Sequence, residues 1–149
     1  MGQLQNKVAI ITGAALGMGK ATAELFAEEG AKVIVADFNE EAGQATVDEI
    51  KSKGGEATFC KVDISDSSQV EAMVKFTVDT YGRLDCAVNN AALKPDNNSF
   101  QDLDEEYYDR LQAVDLKGTA LCMKYELRQF MKQEGGGSIV NISSINAFK

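Results

Sequence analysis

The chain has 149 residues, 44% of them apolar and 26% charged, a balance that supports one folded unit with a real core. Its net charge of −8 excludes a surface built to neutralise a phosphate backbone, so no nucleic-acid partner is expected. It has no histidine, which removes a Ser-His-Asp triad, a His-Cys nucleophile pair and the usual zinc centres, and no metal is expected.

The opening stretch Met-Gly-Gln-Leu-Gln-Asn-Lys has no secretory pattern, and Asn6 stands where a myristoylation signal needs Ser or Thr. No apolar run approaches membrane-spanning length, so no membrane partner is expected. Cys60, Cys86 and Cys122 are odd in number and far apart. They read as buried thiols of a reducing compartment, which places the protein in the cytoplasm.

In chain order, Val8 to Ile11 reads as a strand that ends in a loop with glycines at Gly13, Gly17 and Gly19. An amphipathic segment with Met18, Ala21, Ala23, Leu25, Phe26 and Ala27 follows and stops at Gly30. Strand, glycine loop and helix form a dinucleotide-binding opening, because the amides of a helix start face a pyrophosphate and glycine permits close backbone approach. An ordinary tight strand-to-helix turn would show the same glycines.

Lys32 to Ala36 is a second strand, and Asn39 to Lys53 a second helix stopped by Gly54-Gly55. Ala57 to Val62 is a third strand, after which Ser65 or Asp66 caps a helix ending near Tyr81-Gly82. Leu84 to Val88 is a fourth strand, and the loop Asn89 to Ser99 holds the only proline, Pro95. One long helix is predicted from about Leu103 to Lys132, with Tyr107, Leu111, Val114, Gly118, Leu121 and Tyr125 on a single face. Gly118 inside it reads as a point of close packing. Ser138 to Ile142 is the fifth strand.

This alternation predicts an α/β fold, a Rossmann-like doubly wound parallel sheet in the order 3-2-1-4-5 with helices on both faces. Ligands of such sheets bind outside the carboxyl ends of the strands. That rim collects Thr12 to Gly19, Asp37, Asp63, Asn89 to Ala92 and Ser143-Ser144.

Four motifs stand on that rim in order: Thr12-Gly13-Ala14-Ala15-Leu16-Gly17-Met18-Gly19, Asp63-Ile64, Asn89-Asn90-Ala91-Ala92, and Ser138-Ile139-Val140-Asn141-Ile142-Ser143-Ser144. Together they resemble the short-chain dehydrogenase/reductase family of nicotinamide-dependent oxidoreductases. The resemblance implies that residues 1–149 form a dinucleotide-binding domain, about the first 60% of an ordinary member. It implies that Gly13, Gly17 and Gly19 bend around the pyrophosphate, with the Leu16 and Met18 backbones against the cofactor. Asp37 would accept from the adenosine ribose hydroxyls, with Phe38 following it. Asp63 and Ile64 would flank the adenine. Asn90 and Ala91 would line the ribose side, and Val114 would either pack near the nicotinamide ribose or serve as plain core. A carboxylate at Asp37 repels a 2′-phosphate, and Leu16 stands where NADP-preferring members often carry a cation. The implied cofactor is therefore NAD.

The resemblance further implies oxidation of a small secondary alcohol, or reduction of the ketone, by a homodimer or homotetramer. Ser144, or failing it Ser143, would hold the substrate oxygen. The family's general base, the tyrosine of a Tyr-x-x-x-Lys, is expected about a dozen residues beyond Ser144. Lys149 is too close to Ser144 to be the motif lysine, and the chain as it stands is expected to be inactive. Ala92 replaces the usual glycine. Asp115 replaces an asparagine that helps a proton relay, and either keeps that role or is a solvated helix carboxylate. A non-catalytic dinucleotide-binding or interaction module is the other reading of the same residues.

Overall fold

Runs of Val, Ile and Ala become five parallel strands in the computed structural model, which describes residues 2–144. They are β1 (Val8–Thr12), β2 (Lys32–Asp37), β3 (Glu56–Lys61), β4 (Cys86–Asn89) and β5 (Ser138–Asn141). They pair in the order β3-β2-β1-β4-β5. The central strand β1 is buried along its whole length, which is why it reads as a continuous apolar run rather than an alternating one. Ile10 pairs with Ile34 on one side and Ala87 on the other.

The helices α1 (Gly17–Glu28), α2 (Glu40–Ser52), α3 (Ser67–Tyr81), α4 (Glu105–Leu111) and α5 (Thr119–Phe130) cover both faces. Successive strand residues point to opposite sides and so sort the core into two layers. Ile11, Val33 and Val35 pack with Ala23 and Ala27 of α1 and Val47 and Ile50 of α2. Ile10 and Ile34 pack with Val70, Met73 and Val74 of α3 and Cys122, Tyr125 and Phe130 of α5. Each fully buried aliphatic side chain contributes about 1.5–3 kcal/mol.

The long helix predicted from Leu103 to Lys132 is in fact broken. Leu103 is extended (φ −53°, ψ 124°), and α4 starts only at Glu105, where the Asp104 carboxylate accepts from the Tyr107 N–H at 3.1 Å. Gln112–Gly118 is then a π-helical segment before α5 begins. A π turn takes one residue more than an α turn, so a three-and-four spacing loses its phase across it. The buried side of α5 is accordingly Cys122, Tyr125, Glu126 and Phe130, with Leu121 only partly covered. Gly118 is a close contact, as the spacing implies: a Cβ there would lie 2.8 Å from both Ile64 Cδ1 and Cγ1.

Below β4, Asp85 fastens three strands. Its carboxylate accepts from the Val8 N–H at 2.9 Å and from Arg83 Nε at 2.9 and 3.0 Å. Its backbone N–H donates to Val8 O at 2.8 Å, and its carbonyl accepts from the Ser138 N–H at 2.9 Å. Burial pushes its acidity towards the neutral form, but the Arg83 and Val8 donors outweigh that and hold the carboxyl below the usual range. The three cysteines are unpaired thiols. Burial pushes Cys60 up to about 11 and Cys122 up to about 12, and it raises Cys86 as well.

Candidate functional site

β2 and β3 lie to one side of β1 and β4 and β5 to the other, so the strand order reverses between β1 and β4. A cleft of about 920 Å³ opens outside the carboxyl ends of the strands there, the place where doubly wound sheets take ligands. Gly13, Leu16, Gly17 and Met18 line it from the first loop and the start of α1. Asp37 and Phe38 enter from the end of β2, Asp63 and Ile64 from beyond β3, Asn90 and Ala91 from beyond β4, and Val114 from the π segment.

The first loop reaches the end of β4 only because it carries no side chains there. Gly13 has φ +65°, and a Cβ on it would lie 2.8 Å from Ala91 Cα. A Cβ on Gly19 would lie 2.1 Å from the Gly13 carbonyl oxygen, so α1 sits directly on the loop. Asn90 knots the junction: its Nδ2 donates to Thr12 O at 3.0 Å and Gly13 O at 3.3 Å. The fully buried Thr12 hydroxyl accepts from the N–H groups of Asn90 (3.0 Å) and Ala91 (3.1 Å).

The start of α1 differs from those of α2, α3 and α4, while α5 continues directly from the π segment. Asn39, Asp66 and Asp104 each accept from a backbone N–H of the helix they precede. Leu16 places no side-chain hydrogen bond on the first turn of α1, and that turn holds no acidic residue. Its amides and the helix dipole therefore face the cleft without a built-in anion.

The polar lining is already partly engaged. Asp37 Oδ2 accepts from the Ala15 N–H and Oδ1 from the Asn39 N–H, both at 2.9 Å. Each oxygen keeps a further acceptor position. Asp63 Oδ1 accepts from the Ser65 N–H at 2.9 Å and its hydroxyl at 2.7 Å. Leu16, Met18 and Phe38 stand about two-thirds exposed along the rim, apolar surface that a bound ring system would cover.

Gly19, Asp115 and Ser144 are not among the residues lining the cleft. Gly19 supports the loop from below. Asp115 Oδ1 accepts from the Leu93 N–H at 2.8 Å and so pins the segment after β4 to the π segment. Ser143 and Ser144 are exposed beyond the end of β5. Lys149 lies outside the described residues.

Lys94, Tyr107 and Arg110 form the wall of the cleft on the β4–α4 side, and sequence reasoning missed Tyr107 and Arg110 there. The Tyr107 hydroxyl donates to the Lys94 carbonyl, and the Arg110 guanidinium lies 5.3 Å from the Tyr107 ring centroid. Arg110 stands four residues before Val114, and that helical spacing was the available signal. The cleft therefore holds two cations that the glycine loop and the residues after Asp37 do not reveal. Among the described residues no acidic, cysteine or histidine cluster could hold a metal ion, and no helix is long and apolar enough to cross a membrane.

A five-stranded sheet of this order, with a glycine-containing loop packed against an uncapped helix start, is the architecture of a dinucleotide-binding oxidoreductase. The chain belongs to the short-chain dehydrogenase family, whose model matches residues 7–149. It is 47% identical over 142 residues to short chain dehydrogenase/reductase astE of Aspergillus oryzae, covering 95% of this chain and 54% of that protein. It is 42% identical over 143 residues to a cyclohexanol dehydrogenase of an Acinetobacter species, covering 96% and 57%. Among solved structures it resembles a carveol dehydrogenase from Mycobacterium avium in complex with NAD. There the TM-score is 0.93 at 28% identity, over 100% of this chain and 58% of that one. The chain thus spans little more than half the length of these relatives.

Proposed function

We propose that the cleft binds NAD(H) and that the whole protein interconverts a small secondary alcohol and its ketone. The observation that carries this reading is the uncapped first turn of α1, which faces the cleft beside a loop that Gly13 and Gly19 let pack closely on β4 and α1. The residues fit a dinucleotide. Gly13, Leu16, Gly17, Met18 and Gly19 would hold the pyrophosphate, and the spare acceptor positions of Asp37 would take the adenosine ribose hydroxyls beside Phe38. Asp63 and Ile64 would flank the adenine, and Asn90, Ala91 and Val114 the nicotinamide ribose. The Asp37 carboxylate disfavours a 2′-phosphate, which favours NAD over NADP.

The bound dinucleotide supplies the hydride acceptor or donor. The chain's own residues orient it and exclude water. The Ser144 hydroxyl would donate to the substrate oxygen and steady charge developing there. Asp115 would act by holding the segment after β4 in place. Leu116, Leu127 and Met131 present apolar surface along the π segment and the α5 side of the molecule, which suits a homodimer or homotetramer in the cytoplasm.

Fluorescence titration of the protein with NADH and NADPH tests this. NADH is expected to bind about tenfold or more tightly than NADPH, and Asp37→Ala to narrow that ratio. Binding of neither dinucleotide overturns the reading. Tight NADH binding by the full-length protein, with no oxidation of any secondary alcohol, leaves a binding module.

A further inference from the structure

Glu126 of α5 is fully removed from water. Its Oε2 accepts one hydrogen bond, from Asn89 Nδ2 at 3.0 Å, and its Oε1 has no partner. Asn89, buried at the end of β4, is its counterpart. The amide nitrogen donates to Glu126 and to Asn141 Oδ1 at 3.0 Å, whereas Asn89 Oδ1 has no partner. A carboxyl and an amide already joined by one hydrogen bond therefore each present one unsatisfied acceptor.

Two acceptors cannot satisfy each other. A proton on Glu126 Oε1 changes that, because a carboxylic acid and a primary amide pair through two bonds, O–H to the amide oxygen and N–H to the acid oxygen. One proton there would supply the donor that both orphaned atoms lack, and each is costly to leave unpaired in a dry core.

The amide in question also holds β5. Asn89 and Asn141 are register partners, and the Ile142 N–H donates to Asn89 O at 3.0 Å. Asn141 Nδ2 reaches back to Met123 Sδ on α5 at 3.1 Å. Ser144 follows two residues after Ile142. We infer that Glu126 is a positioning residue: as a neutral acid it clasps the Asn89 amide and thereby fixes the end of β5 that leads to Ser144. The importance of that end rests on the role proposed for Ser144; the clasp itself does not.

The surroundings suit a neutral acid. Burial, opposed in part by the Asn89 N–H, pushes Glu126 up to about 7. No charged group of α3, β4, β5 or the π segment enters that balance among the described residues. The titratable neighbour is Cys122, one turn earlier on α5, whose thiol is pushed up to about 12 and is uncharged. From β4 and β5 come Asn89 and, through it, Asn141, neither of which titrates. The clasp is closed below about pH 7 and open above it.

Amide hydrogen exchange in the full-length protein tests this at Ile142, corrected for the intrinsic rate at each pH. Wild-type protection is expected to fall about tenfold between pH 6 and pH 8. Glu126→Gln keeps the neutral donor-acceptor pair and is expected to hold the high protection at both values. Glu126→Leu is expected to be low at both. Wild-type protection that does not change with pH, or the same fall in Glu126→Gln, overturns the clasp. Carbon-13 titration of the Glu126 carboxyl in the wild type gives a variant-free check: a midpoint near 7 supports the inference, and one near the ordinary 4.5 overturns it. NADH binding followed in the same samples reports separately on the proposed cofactor, so its absence refutes that reading and not the clasp.

Discussion

The fourth strand has a buried carboxyl at each end, and the two are treated in opposite ways. At its start Asp85 collects the Val8 N–H, the Arg83 guanidinium and, at 3.9 Å, the Lys7 ammonium. At its finish Glu126 lies against Asn89 and receives one amide N–H. Both are shielded from water, Glu126 the more deeply, and Glu126 also has the fewer donors. Depth and donor number together decide which of them stays ionised. The base of the strand is built as a fixed ionic fastening, and the rim as a neutral one that a change of pH can loosen.

The largest effect is expected from breaking the lower fastening. Asp85→Ala leaves the Val8 N–H unpaired inside the sheet, at a cost of about 3 kcal/mol, while the exposed Arg83 loses its carboxylate and turns to solvent. Urea denaturation checks this through a lower midpoint with an unchanged slope. Asp85→Asn keeps the acceptor but loses the charge, and should fall between the two.

The upper end is expected to show itself in the pH dependence of stability. Glu126 is raised above its ordinary 4.5, so the native state binds the proton more tightly than the unfolded chain. Its stabilisation is fully present below about pH 4.5 and declines as pH rises towards 7, by about 3 kcal/mol over that window. Asp85 has the opposite sign: its carboxyl is lowered, and its contribution is present above the ordinary 3.8 and lost as pH falls. Glu126→Gln should flatten the decline between pH 5 and pH 8 while leaving the acid side unchanged, as denaturation at each pH will show.

A smaller effect is expected away from both ends. Gly118→Ala places a methyl 2.8 Å from the Ile64 side chain, which must move aside. The expected cost is about 1–2 kcal/mol, with NADH affinity weakened severalfold because Ile64 lines the cleft. Thermal unfolding and fluorescence titration measure the two consequences separately.

The sheet was legible because its evidence is local. Val8 to Ile11, Lys32 to Ala36 and Ala57 to Val62 are short β-branched or apolar runs bounded by glycines, and the alternation with helices leaves few topologies open. The glycines, Asp37, Asp63 and Asn90 were legible as a group because each ends an element on one rim. The broken helix was not, since the π segment alters hydrogen bonding without altering the apolar spacing of Leu111, Val114 and Gly118. Arg110 was missed because what brings it to the cleft is how the β4–α4 connection packs, through the Tyr107 contacts. Glu126 gave no signal at all. A lone glutamate on an amphipathic helix is usually solvated, and only the three-dimensional neighbourhood shows it sealed against Asn89.

The weakened acidity of the thiols has a practical side. A thiol pushed up to about 11 or 12 holds almost no thiolate at neutral pH, so Cys60 and Cys122 are poor nucleophiles towards maleimides and iodoacetamides. Cys86 is shifted the same way. Cys60 and Cys122 are therefore slow to label, and one new cysteine at the exposed Leu16 position would become the faster-reacting handle. A fluorophore there would sit at the mouth of the cleft and report occupancy directly, without stripping the protein of its native thiols first.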